Sequence, residues 1–465
     1  MVRILFFAAL LFLLISAGTG TGNVPTVLNS APTPASASYG ARTDFAVIPL
    51  PTPLPNTGDA VGAGKSVIDP DFHTRIYRLT DINTAPTRYA PQEEWHMSCG
   101  GWGDARVSNI DSTKIFICNG GNGTYMLSFD PQTGKPGAAK LIRGVGFPQW
   151  SKTEADVAFA LADSRDPQVM RLDFSEWPPK VTSVVNLAKV PNCAQQFAGK
   201  AKWKELSVAW DDATFAVAVG NGFQGSAHIV YVWNAKTGCQ SYDTEAETVN
   251  GSAVHGAKDD FSLHAVKISG DGKVVMVGPS GHDNLRHFWH VGTNVVDTEE
   301  SNVNTGHFAM GYGVFLNTVG HTSDGKWCKL GMALRPLDAL ASVKYLLSAK
   351  QCGDTVPRGD DHVSWNNDDS TDRQPFATST VTVPLGSPVA APWQNEILVF
   401  MQDGTVHREA HTFSSGQSKF FACANAIGSI SQDGKWFFFA SDWEGTLGRD
   451  SDGNSRCDDF AAELH

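Results

Sequence analysis

The sequence lacks several features by which common protein classes are recognised. None of its eight cysteines forms a Cys-x-x-Cys pair, so a zinc ribbon or a thioredoxin-type redox site has no support. It contains no Gly-x-Ser-x-Gly, no His-Glu-x-x-His and no phosphate-cradling glycine loop, so three frequent enzyme signatures are missing. Basic runs are also absent, and the formal net charge of −12 argues against nucleic acid or an anionic membrane as a partner.

Only one long apolar run is present, and it lies at the N-terminus. Arg3 precedes an unbroken apolar stretch over 4–15, and the small residues Ser16, Ala17 and Gly18 follow it. This order is typical of a secretory signal peptide, and the stretch is short for a membrane span. We therefore expect a signal peptide over residues 1–22, a secreted protein and no membrane span after cleavage. An uncleaved membrane anchor is the alternative.

The segment after the signal peptide is poor in the residues that build a core. Residues 23–65 are rich in proline, serine, threonine, alanine and glycine. A chain of this composition buries little apolar surface, which predicts a disordered linker. The folded domain is expected over residues 66–465, as a monomer.

What the domain does contain is a recurring short turn between two apolar, strand-like runs. Five of these turns are nearly alike, and they begin at Asn109, Trp210, Ser269, Thr322 and Ser431; a weaker one begins at Trp150. Asp-Gly supplies the positive φ of a tight hairpin, and the flanking β-branched and aromatic residues favour strands. Hairpins repeated at intervals of about 40 to 60 residues are typical of blades arranged in a ring. We predict an all-β fold, a seven-bladed β-propeller of four-stranded antiparallel blades.

The predicted blades occupy residues 100–143, 145–190, 203–250, 262–303, 307–357, 360–409 and 411–464. The last of them has too few strands, whereas the early strand 74–79 has no blade of its own. Pairing this N-terminal strand with the last blade closes the ring and removes both free sheet edges. Six or eight blades are the alternatives.

The cysteines are expected to form disulfide bonds, because their number is even and the chain is predicted to be exported. Each consecutive pair falls within one blade or one loop at a blade edge, so nearest neighbours are expected to pair. The predicted bonds are Cys99–Cys118, Cys193–Cys239, Cys328–Cys352 and Cys423–Cys457.

Aligning the blades on the turn aspartate places mostly polar residues near the starts of the inner strands. Seven positions before that aspartate stand Asp104, Lys204, His264, Asn317 and Ala426. Arg106 lies two positions after Asp104, and side chains two positions apart point to the same side of a strand. We predict a polar ring at one mouth of the central channel. The alternative is a water-filled channel that needs no ligand.

Histidines favour the prediction of a functional site at that mouth. Four of them stand at or just before the predicted inner strands of blades four to seven: His264, His307, His362 and His411. Histidine is the commonest metal ligand and the usual proton shuttle. A loop of blade four that is expected to open on the same face contains His282, Arg286 and His287. For this loop an exposed polar segment without a ligand is the alternative.

Near the C-terminus, oxygen-bearing side chains alternate around a glycine. They are Asp450, Asp452, Asn454 and Asp458, with Gly453 for the bend. Such a pattern predicts a calcium loop, although the last glutamate of an EF-hand is missing. A solvated acidic loop is the alternative.

The stretch Ser431–Asp442, with its Ser-x-Asp-Gly-Lys turn and apolar strand, resembles the repeats of TolB and related WD-repeat-like exported propellers. This resemblance implies a fold rather than a function. More distantly, histidines and an arginine at one propeller mouth resemble the oligogalacturonate lyases. That resemblance implies a divalent metal, manganese or calcium, held by His307, His362 and His411, with His264 or Arg106 as the base. No nucleotide or organic cofactor is expected.

Two functions of different classes follow. The first is a polysaccharide lyase, since β-elimination in an acidic sugar chain needs a cation for the uronate carboxylate, a base for the C5 proton and an acid for the leaving oxygen. The candidate catalytic residues are His264, Arg106 and Lys204, and the candidate substrate-binding residues are Asp104, Asn317, His282, Arg286 and His287. The second is a non-catalytic propeller that binds a protein or a glycan on the same face.

Overall fold

The structure, a computed structural model, describes residues 42–84, 95–96, 106–119, 123–162, 168–193, 202–220, 227–256, 262–280, 285–299, 305–321, 327–348, 362–380, 386–416, 418, 421–449 and 453–465. The predicted signal peptide, residues 1–22, lies outside this part of the chain. Within the described residues, no helix is long and apolar enough to cross a membrane.

Nearly all regular structure is β-strand. Two short strands come first, β1 (Ser66–Ile68) and β2 (Arg75–Arg78). Blade one contains β3 (Trp95–His96), β4 (Lys114–Asn119), β5 (Gly123–Asp130) and β6 (Lys135–Ile142). Blade two contains β7 (Val145–Trp150), β8 (Val157–Ala162), β9 (Gln168–Asp173) and β10 (Lys180–Asn186). Blade three contains β11 (Lys202–Val208), β12 (Thr214–Gly220), β13 (Ala227–Asn234), β14 (Gly238–Asp243), β15 (Thr248–Val249) and β16 (Ser252–Ala253).

The second half of the chain continues the pattern. Blade four contains β17 (His255–Gly256), β18 (Ser262–Ile268), β19 (Val274–Ser280), β20 (His287–His290) and β21 (Val295–Thr298). Blade five contains β22 (Thr305–Met310), β23 (Val314–His321), β24 (Trp327–Pro336) and β25 (Lys344–Tyr345). Blade six contains β26 (Val363–Ser364), β27 (Phe376–Ser379), β28 (Glu396–Phe400) and β29 (Val406–His411). Blade seven contains β30 (Gly428–Ile430), β31 (Trp436–Ser441) and β32 (Asp458–Glu463). Single helical turns occur at Leu187–Lys189, Phe421–Ala424 (α1) and Trp443–Gly445.

These strands form seven sheets, so the predicted seven-bladed propeller is confirmed. Blades one, two, five and six are four-stranded, blade three has six strands and blade four has five. Blade seven also has five, because β1 and β2 join its sheet. The extra strand β17 lies parallel to β21 at the outer edge of blade four. Strand β2 pairs with β32 through Ile76 and Ala462, so the predicted pairing of the early strand with the last blade is present.

The first strand of each blade lines the central channel. From blade two to blade seven these inner strands contact one another in succession: β7, β11, β18, β22, β26 and β30. Apolar side chains fill the space between neighbouring blades; Leu263 and Trp289 of blade four, for example, pack with Tyr242 of blade three. We call the end of the channel where the inner strands begin the strand-start mouth. The opposite end, where Asp212 and Asp271 lie in hairpin turns, is the turn mouth.

At the turn mouth, aspartates connect neighbouring hairpins. Asp212 of blade three accepts hydrogen bonds from Ser151 Oγ (2.5 Å) and from the backbone N–H of Lys152 (3.2 Å) in blade two. Asp372 of blade six accepts the backbone N–H groups of Tyr312 and Gly313 in blade five, both at 2.8 Å. The turns that reveal the repeat therefore also join adjacent blades.

Blade five departs from the alignment that the sequence suggested. Residues 322–326, predicted as its Asp-Gly turn, lie outside the described part and follow β23 in sequence, whereas β22 and β23 are joined through 311–313. An Asp-Gly pair favours a tight hairpin wherever two antiparallel strands meet, so it does not mark one particular hairpin of a blade. Asn317 consequently lies on the second strand of its blade and not on the inner one.

Residues 42–65, which composition assigned to a disordered linker, are packed on the propeller in the described structure. The rings of Phe45 and Trp393 lie 4.9 Å apart, edge to face. Trp443 Nε1 donates to the carbonyl oxygen of Pro55 at 2.8 Å. A segment that docks on an existing core needs few apolar residues of its own, which is why its composition did not indicate order.

Two of the predicted disulfide bonds are confirmed. Cys193 is bonded to Cys239 and Cys423 to Cys457, with Cα–Cα distances of 5.9 and 6.0 Å. Cys118 is also disulfide-bonded. Cys99, Cys352 and the side chain of Cys328 lie outside the described part, so the bonds Cys99–Cys118 and Cys328–Cys352 stay predictions.

Candidate functional site

The inner strands of blades two to five are bulged, and the bulges of blades three, four and five fall at predicted site residues. In blade three the pairing skips from Trp203 to Glu205, and in blade four it skips from Leu263 to Ala265. In blade five it skips from Thr305 to Phe308. The backbone positions that these bulges leave unpaired are Lys204, His264, Gly306 and His307. Bulges redirect side chains and are frequent beside active sites.

Histidines from neighbouring blades meet at this mouth. The imidazoles of His307 in blade five and His362 in blade six are stacked, with ring centroids 3.7 Å apart and an angle of 22° between the rings. His362 is fully buried, His307 is half-buried, and His264 of blade four is exposed. Threonine hydroxyls donate to the carbonyl oxygens of the stacked pair, Thr378 Oγ1 to His362 at 3.1 Å and Thr318 Oγ1 to His307 at 3.4 Å.

His411 does not belong to this group. It ends β29, the outer strand of blade six, while the inner strand of blade seven begins only at Gly428. Its ring is fully buried, and Nδ1 lies 3.0 Å from Asp69 Oδ2. The prediction that His411 starts an inner strand is wrong, because β29 extends five residues past Val406 before the chain turns towards blade seven.

The residues present were tested against the divalent metal that the resemblance implies. Within the described residues, three ligand atoms within 4.8 Å of one another are offered by Asp69, Asp71 and His411, and not by a set that includes His307 or His362. A metal centre ordinarily has at least three protein ligands. The described residues at the strand-start mouth therefore do not fit a complete metal site, and no step proposed below uses a metal.

The Asp69–Asp71–His411 group is held together by hydrogen bonds. Asp69 accepts the backbone N–H of His411 at 2.7 Å and that of Asp71 at 3.0 Å. Burial acts to raise the pKa of Asp69, but its hydrogen bonds with His411 and the charge of that ring lower it overall. The carboxylate is thus a structural acceptor that joins the β1–β2 connection to blade six.

Two predicted substrate-binding residues are instead attached to a buried glutamate. Asn317 Nδ2 donates to Glu299 Oε1 at 2.8 Å, and Arg286 Nη1 lies 4.0 Å from Glu299 Oε2. Burial raises the pKa of Glu299 against the opposing effect of the arginines Arg286 and Arg335. His287 begins β20 and is buried. His282, Asp104 and the side chain of Lys204 lie outside the described part.

Arg106 lies towards the turn mouth, away from the histidine pair. Its guanidinium donates to the carbonyl oxygens of Trp150 at 3.1 Å and Val208 at 2.5 Å. These two residues end the inner strands of blades two and three. Its guanidinium is therefore bound to carbonyl groups at the turn mouth, whereas the sequence placed Arg106 in the polar ring at the strand-start mouth.

Of the four predicted calcium ligands, Asp458 is bound by other side chains in the described structure. Asp458 is buried, and its Oδ1 accepts from Arg456 Nη2 at 2.7 Å and from Thr80 Oγ1 at 3.1 Å. Its Oδ2 is paired with Arg78. Asp450 and Asp452 lie outside the described part, and Asn454 is half-buried. Asp458 thus differs from the open oxygen ligand that the calcium interpretation requires.

A further acidic group, between blades six and seven, has no counterpart in the sequence reasoning. Glu444 has a positive φ of 54°, and Asn395 Nδ2 lies 3.5 Å from its Oε1. Burial, followed by the charge of Asp442, raises the pKa of Glu444 to about 7. Glu444 and its neighbour Trp443 both have a positive φ, which depends on how this loop packs on the propeller. No local sequence pattern therefore predicts this group.

Comparison with known proteins supports the fold. No family model and no curated protein matches the sequence. The structure is similar to oligogalacturonate lyase from Vibrio parahaemolyticus, with a TM-score of 0.53 and 9% identity, covering 86% of this chain and 98% of that one. TolB from Acinetobacter baumannii matches at a TM-score of 0.34 and 11% identity, covering 68% of this chain and 62% of that one. At such low identity, the first similarity shows a shared propeller fold.

Proposed function

We propose that this chain is a secreted lyase that cleaves uronic-acid-containing glycans by β-elimination at the strand-start mouth. The observation that carries the proposal is the stacked pair of His307 and His362, next to the bulged strand that presents His264. The similarity to a lyase of the same fold supports the choice of reaction without assigning residues.

The pair suits the proton transfers of this reaction. The base removes the C5 proton of a uronate, the electron pair forms the C4–C5 double bond, and the C4–O4 bond breaks as the leaving oxygen is protonated. His307 is half-buried and acts as the base, and the buried ring of His362, stacked on it, holds it in place. His264, exposed on the next blade, donates the proton to the leaving oxygen.

The uronate carboxylate requires a positive partner, because negative charge develops next to it as the C5 proton leaves. Lys204 occupies a bulge like that of His264, one blade away, and is proposed for this role. Lys152 bridges the opposite end of the channel to Asn366, so the glycan is expected to lie across the strand-start mouth and not through the ring.

The direct test is a panel of acidic glycans, with a neutral glycan as the negative substrate. Elimination creates an unsaturated uronate whose conjugated double bond absorbs ultraviolet light, so product formation is followed by absorbance. The wild type is expected to release this product from at least one uronate polymer. His307→Gln and His264→Gln are expected to lower the rate at least about 100-fold, as for the loss of a general base or acid. The control His255→Gln, exposed at the outer edge of blade four, is expected to keep the wild-type rate.

The same panel separates the second candidate function, a non-catalytic propeller that binds a glycan or protein on this face. Saturable glycan binding without any unsaturated product would overturn the lyase and favour that function. Equal rates for His307→Gln and His255→Gln would place the chemistry elsewhere in the molecule.

A further inference from the structure

Blade three has an additional hairpin at its outer edge, formed by β15 and β16. Val249 pairs with Ser252, so Asn250 and Gly251 make a two-residue turn between the strands. Both turn residues have a positive φ, 50° at Asn250 and 78° at Gly251, as a type I′ turn requires. Together with Ser252 they form Asn-Gly-Ser, an example of the Asn-x-Ser/Thr triplet that accepts N-linked glycans in secreted proteins.

The tip of this hairpin is open to solvent. Asn250, Gly251 and Ser252 are all exposed. Apart from the chain neighbours of Gly251, no heavy atom of the described residues lies within 4 Å of the position that a Cβ would occupy there. An N-linked oligosaccharide is bulky and hydrated, so it needs an acceptor with free space around it, as this turn provides.

The carboxamide group of Asn250 is held by its oxygen. The backbone N–H of Ser241 on β14 donates to Asn250 Oδ1 at 2.8 Å, and the backbone N–H of Asn250 donates to the carbonyl oxygen of Ser241 at 2.9 Å. Within the described residues, Nδ2 of Asn250 makes no hydrogen bond. A sugar attached to Nδ2 therefore breaks none of the contacts that hold the turn on blade three.

The hairpin tip lies away from the strand-start mouth. Successive strands of blade three are antiparallel, so β14, the fourth, ends on the side of that mouth and β15 runs away from it. The turn that ends β15 is thus on the outside of the ring, towards the turn mouth. A glycan there leaves the strand-start mouth uncovered, so this inference is independent of the proposed lyase function.

We propose that Asn250 is N-glycosylated when this chain passes through a secretory pathway that contains an oligosaccharyltransferase. The sugar donor is an oligosaccharide linked to a polyprenyl diphosphate. Nδ2 of Asn250 loses one proton and forms a bond to C1 of the first sugar, while the bond between C1 and the phosphate oxygen breaks and the polyprenyl diphosphate leaves. The hydroxyl of Ser252 completes the triplet that the transferase recognises.

Peptide mapping of the full chain, secreted from a eukaryotic host behind a leader peptide of that host, tests the assignment. The purified protein is treated with peptide N-glycosidase in water enriched in oxygen-18, which converts a glycosylated asparagine into a labelled aspartate. We expect the label at Asn250 in most of the secreted protein. Recovery of the Asn250 peptide without glycan and without label would overturn the proposal.

Two substitutions of Ser252 provide a matched control, because this exposed side chain can be changed without altering Asn250 or the turn. Ser252→Ala removes the hydroxyl and is expected to abolish the label at Asn250, whereas Ser252→Thr retains a hydroxyl and is expected to keep it. A label that persists in Ser252→Ala would contradict N-glycosylation of this triplet. A second triplet begins at Asn122, outside the described part, and its separate peptide distinguishes it from Asn250.

Discussion

His411 and Asp69 form a fully buried pair, with Nδ1 of the ring 3.0 Å from Oδ2 of the carboxylate. The pair joins the outer strand of blade six to the connection between β1 and β2, far along the sequence. Phe72 packs edge to face against the imidazole, with centroids 4.9 Å apart. A histidine that the sequence placed at a functional mouth is therefore part of the packing that attaches the N-terminal segment.

Replacement of this histidine should affect stability and not catalysis. His411→Ala leaves the Asp69 carboxylate buried without its partner, and breaking such a pair costs about 3 kcal/mol. Urea unfolding measures the loss, and the exposed His255→Ala is the matched control. The rate of glycan elimination, measured below the unfolding transition, should be unchanged. Loss of that rate with wild-type stability would return His411 to the functional site.

Asp372, which connects blades five and six, should also contribute to the stability of the fold. Asp372→Ala removes the acceptor of two backbone N–H groups, those of Tyr312 and Gly313. Leaving buried donors unsatisfied costs about 1 to 3 kcal/mol. Asp403→Ala, in an exposed turn of the same blade, is expected to change the free energy of unfolding by less than about 0.5 kcal/mol. Equal losses of unfolding free energy for the two substitutions would show that the hydrogen bonds between the blades do not stabilise the protein.

Glu444 predicts a pH dependence of stability. Its pKa is about 7 in the folded protein, above the ordinary value of 4.5, so the folded state holds the proton more tightly than the unfolded chain. The stabilisation of the folded state by this more tightly held proton is fully present below about pH 4.5 and is lost as the pH rises through about 7. The side chain in Glu444→Gln cannot ionise. The free energy of unfolding of this variant should therefore exceed that of the wild type by about 2 kcal/mol at pH 8, with a smaller difference at pH 4.5.

Urea unfolding from pH 4.5 to pH 8 measures this difference, with the exposed Glu245→Gln as the control. The control should follow the wild-type curve. If Glu444→Gln also follows it over the whole range, the carboxyl group ionises with its ordinary pKa.

The disulfide bond in blade seven should contribute measurably to stability. Cys423 and Cys457 are fully buried and close a loop with a sequence separation of 34. Replacing both with alanine is expected to cost about 3 kcal/mol, in the range for loops of this size. Peptide mapping without reduction should recover this bond together with Cys193–Cys239. Recovery of either cysteine pair in a different combination would contradict the structure.

The repeated turns were sufficient to predict the blades, because each hairpin signal is local. An Asp-Gly turn flanked by β-branched residues needs no distant partner to adopt its conformation. The pairing of β2 with β32 could also be predicted, since one strand lacked a blade and one blade lacked strands. Both cysteine pairs that the structure describes follow from the same repeat.

The candidate site was only partly predictable, because it depends on contacts between blades. Strand-start positions brought His307 and His362 together, but their stacking follows from a bulge in β22 that no residue pattern reveals. His411 was misplaced since a strand's length is set by its partners. The direction of the Arg106 side chain was likewise decided by carbonyl groups two blades away.

By itself, therefore, the sequence determined the repeated hairpins and the propeller architecture, because hairpins are encoded by neighbouring residues, whereas the assembled sheets decided between six, seven and eight blades. Only the tertiary structure decided which polar side chains meet. Glu444 owes its raised pKa to burial between segments that are distant in sequence. Burial and charge proximity are properties of the assembled ring, and no single segment of the chain contains them.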